Sequence, residues 1–179
     1  MPRRYDPDRR QRIIDAAITV VGERGISGLS HRAVAAEADV PLGSTTYHFA
    51  TLDDLLVAAL SQLNVDWLDH LERWERSADP ARPLADELLR FIETLLGGDR
   101  ARLELEYELY LAALRRAAVR PIAAACLDEM AVLLARRTGD LDTARMVVAL
   151  MDGVILQVLL TGRPLERTEV RAAMERITG

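Results

Sequence analysis

Three histidines and one cysteine are the side chains of this 179-residue chain best suited to metal binding or nucleophilic attack, and their placement favours neither. His31, His48 and His70 form no i, i+4 pair, the spacing that sets two imidazoles on one helical face around a metal. Cys126 stands in an Ala-Ala-Ala-Cys-Leu run, and neither a Gly-x-Ser-x-Gly elbow nor a phosphate-cradling glycine loop occurs. Catalysis is not expected, nor is a metal or any other cofactor. A lone thiol closes no internal disulfide, so the expected setting is the reducing cytoplasm.

The other chemistry on offer is cationic. Every one of the 23 basic residues is arginine, and the net charge of −5 taken whole speaks against a nucleic-acid ligand, whose phosphates need cations. The charge is unevenly spread. Residues 1–50 hold seven arginines against six acids, whereas residues 51–179 hold sixteen against twenty-two. Arg3, Arg4, Arg9, Arg10 and Arg12 concentrate it further, opposed in that stretch only by Asp6 and Asp8. A small cationic head on an acidic body suits a modular DNA binder, although a merely solvated basic end reads equally well. No apolar core follows these arginines as in a signal peptide, and no run approaches roughly 18 uninterrupted apolar residues, so a soluble chain without a membrane partner is expected.

Helices must position whatever binds. Asp6-Pro7 reads as a cap and first helical position, and Ile14, Ala17, Ile18 and Val21 then keep helical spacing up to Gly25. Ser30 caps a short helix through about Ala38 with Val34, Ala35 and Ala38 inward. Asp39 tolerates the left-handed turn that Asp39-Val40-Pro41 would need, and a third short helix covers about 42–49. Thr51 and Asp54 form a capping box for a long helix that ends near Asp79-Pro80. Further helices are expected at about 83–97, 100–117, 119–138, 141–161 and 166–178. The alternating stretch Leu103–Leu111 has strand-like periodicity, but it runs into Ala112-Ala113-Leu114 without a turn and is read as helix. The fold class is all-α. Short helix, tight turn, short helix over 30–49 matches the geometry that sends a recognition helix into the major groove, and equally a generic helical corner.

The run from His31 through Pro41-Leu42-Gly43-Ser44-Thr45-Thr46-Tyr47-His48-Phe49, followed by Leu52-Asp53-Asp54-Leu55-Leu56, resembles the TetR (tetracycline-repressor-like) family of transcriptional regulators. That resemblance covers about residues 10–60, and Met151–Leu156 is similar to a late segment of the same proteins. It implies an N-terminal three-helix helix-turn-helix DNA-binding domain over 1–50 and a C-terminal helical ligand-binding and dimerisation domain over 51–179. It implies a regulator, expected to be a repressor, that binds a palindromic double-stranded DNA operator as a homodimer and is released by a small-molecule effector. Carried over position by position, Arg32 would reach a base edge or phosphate, and Leu42, Gly43, Ser44, Thr45 and Tyr47 would form the reading face with His48 at the backbone. Phe49 would be core. The chain departs from the family pattern where Asp39 replaces a usual Gly, Pro41 a capping Ser, Thr46 a frequent Tyr, and Leu52 a phosphate-binding Lys. Arg9, Arg10 and Arg12 are near enough to supply the missing phosphate contact.

Residues 123–134 and 146–160 are apolar nearly all round, so each such helix is buried on more than one side, in its own core or against a partner. The resemblance favours a two-fold dimer there, with Gly153 allowing close approach. An effector pocket is expected from the polar and aromatic residues at core-facing spacing: Trp67, His70, Phe91, Tyr107, Tyr110, Met130, Met151 and Gln157. Core packing accounts for any one of them as well. The rival to a regulator is a helical interaction module that ignores DNA, which the acidic net charge would suit.

Overall fold

A computed structural model describes residues 7–179. Among these are nine α-helices, a single 3-10 turn at Ile26–Gly28 and no strand. The helices are α1 (Arg9–Arg24), α2 (His31–Glu37), α3 (Leu42–His48), α4 (Leu52–Ser77) and α5 (Leu84–Leu96). They continue with α6 (Arg100–Ala112), α7 (Arg120–Thr138), α8 (Leu141–Thr161) and α9 (Arg167–Thr178). The all-α expectation holds, and Leu103–Leu111 is helical throughout. Arg3, Arg4 and Asp6 lie outside the described residues. Pro7 precedes α1 instead of opening it, and the Asp8 carbonyl accepts the Arg12 amide. Helix α6 stops five residues earlier than its composition suggests. Ala113, Leu114 and Arg115 each donate to the carbonyl three residues back, a tightening that turns the chain before α7.

Two compact units form, and their division does not follow a boundary at residue 50. The first runs through Leu63 and takes in Leu105–Ile122; the second comprises Asn64–Glu104 and Ala123–Gly179. The first three turns of α4 belong with the short helices because their inner face, Leu55, Leu56, Ala59, Leu60 and Leu63, is buried with Ile13, Ala17, Val20 and Val34. Polar ties reinforce this. Gln62 bonds Gln11 and Asp15 of α1, and Arg116 donates to Asp53 at 2.6 Å. Leu105 of α6 packs over Gly22, and Glu108 accepts the Ile26 amide at 2.7 Å. Between them Gly25 takes φ 68° and ψ 172°, a conformation open essentially to glycine alone.

In the second unit α5 packs on α9, tied by Arg171 to Asp86 and Arg167 to Glu93, and α8 packs on α9 as well. By length and composition α8 could cross a membrane. Its buried residues Ala144, Val147, Val148, Met151 and Ile155 nevertheless recur at core-helix spacing.

Candidate functional site

The helix-turn-helix is built by local capping and one strained residue. The Ser30 hydroxyl accepts the Ala33 amide at 3.1 Å and starts α2. Asp39, at φ 50°, is the described non-glycine residue in the left-handed region, and it reverses the chain so that Val40 N–H reaches the Ala35 carbonyl at 3.0 Å. Val34, Ala35, Ala38 and Phe49 are buried, so the inner faces of α2 and α3 are consumed by the core.

What remains outside α3 is narrower than expected. Leu42 is 46% exposed and Tyr47 84%, with Gly43 and Thr46 also exposed. Ser44 and Thr45, expected on the reading face, are buried at 6% and 0%, and this corrects their assignment. Round this seven-residue helix positions 44 and 45 turn inward, with half-buried 48 one turn on, while 42, 43, 46 and 47 turn out. Thr45 spends its hydroxyl on the Leu42 carbonyl at 2.8 Å. Thr46 was missed; four residues after Leu42, it shares that face. Arg32 is exposed on the first turn of α2. His48 is half-buried, its ring edge-on to Tyr47 at 5.2 Å. Arg10 of α1 lays its guanidinium 5.1 Å from the Phe49 ring centroid, which sets a cation beside the end of α3.

Gly43 has a further property. A methyl built on its Cα would meet no atom within 4 Å, and its backbone is ordinary helix. Nothing in the folded chain requires glycine there, although glycine weakens a helix by about 0.5–1 kcal/mol relative to alanine. The space beside the Gly43 Cα is therefore open on the exposed side of α3.

In the second unit the expected effector residues partly converge. Trp67 and His70 of α4 gather with Trp74, two turns on from Trp67, around Phe91 of α5, at centroid distances of 6.0, 5.5 and 5.0 Å to Phe91. Trp67 Nε1 donates to Met130 Sδ of α7 at 3.1 Å. Trp74 Nε1 is buried without a hydrogen-bond partner, the sort of orphan donor an acceptor-bearing ligand would satisfy. Trp74 was not among the expected effector residues; its i, i+7 relation to Trp67 was the available signal. Burial, and then the charge of Arg73, hold the His70 imidazole below its ordinary pKa of 6.5, so it is neutral at pH 7. Met151 is buried on α8. Tyr107 and Tyr110 pair edge-to-face at 6.4 Å within the first unit. Gln157 is exposed and leaves the pocket set: it lies about 200° round α8 from buried Ile155. Grooves of about 580 and 380 Å³ open elsewhere in this unit, the larger along Arg82, Asp86, Arg90, Arg167 and Arg171, the smaller along Leu68, Asp69, Glu72, Asp128 and Val132. Neither is lined by the aromatic group.

Residues 13–59 match the family model for bacterial regulatory proteins of the tetR family, and residues 79–179 match the tetracyclin repressor-like C-terminal domain. The chain belongs to the TetR family. It is thus a ligand-responsive transcriptional regulator of that family. The multidrug binding protein EbrR, solved with imidazole, is 58% identical with a TM-score of 0.89 over 97% of both chains. Its ethidium complex aligns at 57% identity and 0.85 over 96% of this chain and 99% of that one. The nicotine-responsive repressor HdnoR of Paenarthrobacter nicotinovorans is 25% identical across 84% of this chain and 83% of its own length.

The departures from the TetR pattern now have local explanations. Asp39 adopts the left-handed conformation that the usual glycine would give more cheaply. Pro41 opens α3 without a side-chain cap, and Ser44 N–H donates to its carbonyl at 2.8 Å instead. The Thr51–Asp54 capping box forms in both directions, at 2.8 and 3.1 Å, with Leu52 half-buried just inside it.

Proposed function

We propose that this TetR-family regulator acts in the cytoplasm as a homodimeric repressor, grips a palindromic operator with Arg32 and the outer face of α3, and is released by an aromatic cation. The observation that carries the DNA half is Gly43, an exposed helical glycine the fold does not need. Leu42, Thr46 and Tyr47 surround it and Arg32 stands on the preceding helix.

The dimer half rests on α8. Away from its buried stripe run Met146, Gly153, Gln157 and Leu160, with half-buried Leu150 and Val154 on the flank and Met146 58% and Leu160 77% exposed. A helix apolar on both faces, in a chain whose own core covers only one, fits an isologous contact with a second copy. Gly153 again has open space where its side chain would be.

The effector class follows from the aromatic group. Faces of Trp67, Trp74 and Phe91 beside a neutral imidazole attract a cation and stack on planar rings. EbrR, 58% identical where solved with proflavin or malachite green, binds such dyes as well as ethidium. The two tryptophans of the chain both sit in this group, so tryptophan emission, excited selectively over tyrosine, reports on it alone. Titration with malachite green should quench that emission saturably and, in a separate anisotropy experiment, free a labelled operator duplex. Quenching without release would make the dye a passenger; absence of both would remove the aromatic cation as effector.

A further inference from the structure

We infer that this protein reads thymine methyl groups through Leu42 and Thr46, with guanine reading confined to Arg32. The inference rests on the DNA-binding reading and specifies its substrate.

Helices α2 and α3 contain no Asn, Gln or Lys. Bidentate recognition of adenine needs an amide side chain, and that of guanine needs Arg or Lys. Arg32 is therefore the residue of this pair able to chelate a base. On α3 the serine and threonine hydroxyls are buried or bonded within the helix. Ser44 and Thr45 are buried, and Thr45 is bonded to its own helix. Thr46 donates to the Gly43 carbonyl at 3.4 Å, which leaves its γ-methyl as the group it offers outward. Leu42 and Thr46 are four residues apart and share one face. Gly43 between them lets the backbone come close enough for short side chains to touch the groove floor. The face is thus aliphatic, and the complementary feature of a major-groove edge is the thymine C5 methyl, which no other base of unmodified DNA carries. Tyr47, far more exposed and bearing a hydroxyl, is left to reach sugar or phosphate.

The test starts from duplexes that the full-length protein retains from a randomised pool. Uracil replaces each thymine of the half-site in turn, which deletes the methyl and preserves pairing. Wild-type protein should lose about fourfold in affinity at one or two positions, the worth of one buried methyl group. Leu42→Ala and Thr46→Ser, checked for native circular dichroism, should bind thymine and uracil forms of those positions alike. Equal wild-type affinity for thymine and uracil everywhere overturns the inference, as does a uracil penalty undiminished in the double variant. Retention of no duplex at low salt overturns the DNA-binding reading itself, and the inference with it.

Discussion

Replacing Gly43 by alanine should stabilise the free protein and weaken its hold on DNA. The added methyl meets nothing within 4 Å, and no left-handed backbone is involved, so the folded chain accepts it without strain. Alanine reduces the freedom of the unfolded chain and favours helix; at the second position of a seven-residue helix the gain is about 0.5 kcal/mol, the low end for Gly to Ala. For a chain of this size that is about 1–2 °C in Tm. Bound to DNA, the same methyl occupies space the duplex needs. Overpacking a tight contact costs about 1–3 kcal/mol, fivefold to roughly 150-fold in each half-site. Melting followed by circular dichroism, and anisotropy of a labelled operator at fixed salt, read the two effects separately. An alanine variant that binds the operator as tightly as wild type would show that the α3 backbone does not approach the duplex. One that melts lower would show that the open space at Gly43 is not there.

Arg32→Ala and Tyr47→Ala, both exposed, should leave Tm unchanged and weaken operator binding, the former by about 1–3 kcal/mol if a base contact is lost; undiminished affinity of both places the reading face elsewhere. Val154→Arg sets a charge on the half-buried flank of α8 and should yield a folded monomer by light scattering, whereas a persisting dimer rejects that flank as part of the interface. For His70 the sign is set by a folded-state pKa below the unfolded value of 6.5. Below about pH 6.5 the unfolded chain takes up a proton that the native one resists, so stability is complete above that pH and declines as the pH falls toward the native pKa. His70→Asn should flatten this decline in urea midpoints between pH 7.5 and 5; an unchanged slope assigns the pH dependence to other groups.

Short-range physics was legible in the residues. Caps at Ser30 and Thr51 need only one hydroxyl and its neighbours, and Asp39 in the left-handed turn needs only a tolerant side chain. The inward faces of α1 and α4 follow from spacing alone. The failures came where one helix position had to be assigned to a face. Ser44 and Thr45 are polar enough to suggest solvent, yet Thr45 satisfies its hydroxyl on its own backbone and can be buried without penalty. Gln157 is a polar residue in an apolar helix, which suggests a pocket, but a helix apolar on both sides gives no periodic signal of which side is which. The discontinuous units were not legible either, because Leu105 over Gly22 and Glu108 on Ile26 are contacts 82 to 83 residues apart in the chain.

One helix carries residues of both proposed functions. Helix α4 runs unbroken through 26 residues without Gly or Pro, so nothing in its sequence marks a hinge. Leu55 and Leu56 near its start are fully buried in the DNA-binding unit, and Trp67, His70 and Trp74 toward its end form the aromatic group. If that aromatic group takes the effector, a ligand that packs better against one setting of it than another shifts the equilibrium between them only by its differential affinity for the two states. The bias is reciprocal: a dye that weakens operator binding tenfold must itself bind tenfold more weakly to the DNA-bound protein, about 1.4 kcal/mol of coupling. Isothermal titration with malachite green, with and without saturating operator, should therefore return two affinities in the ratio found by anisotropy. If the two affinities are equal while the dye still displaces DNA, it competes by binding the duplex, and α4 carries no signal.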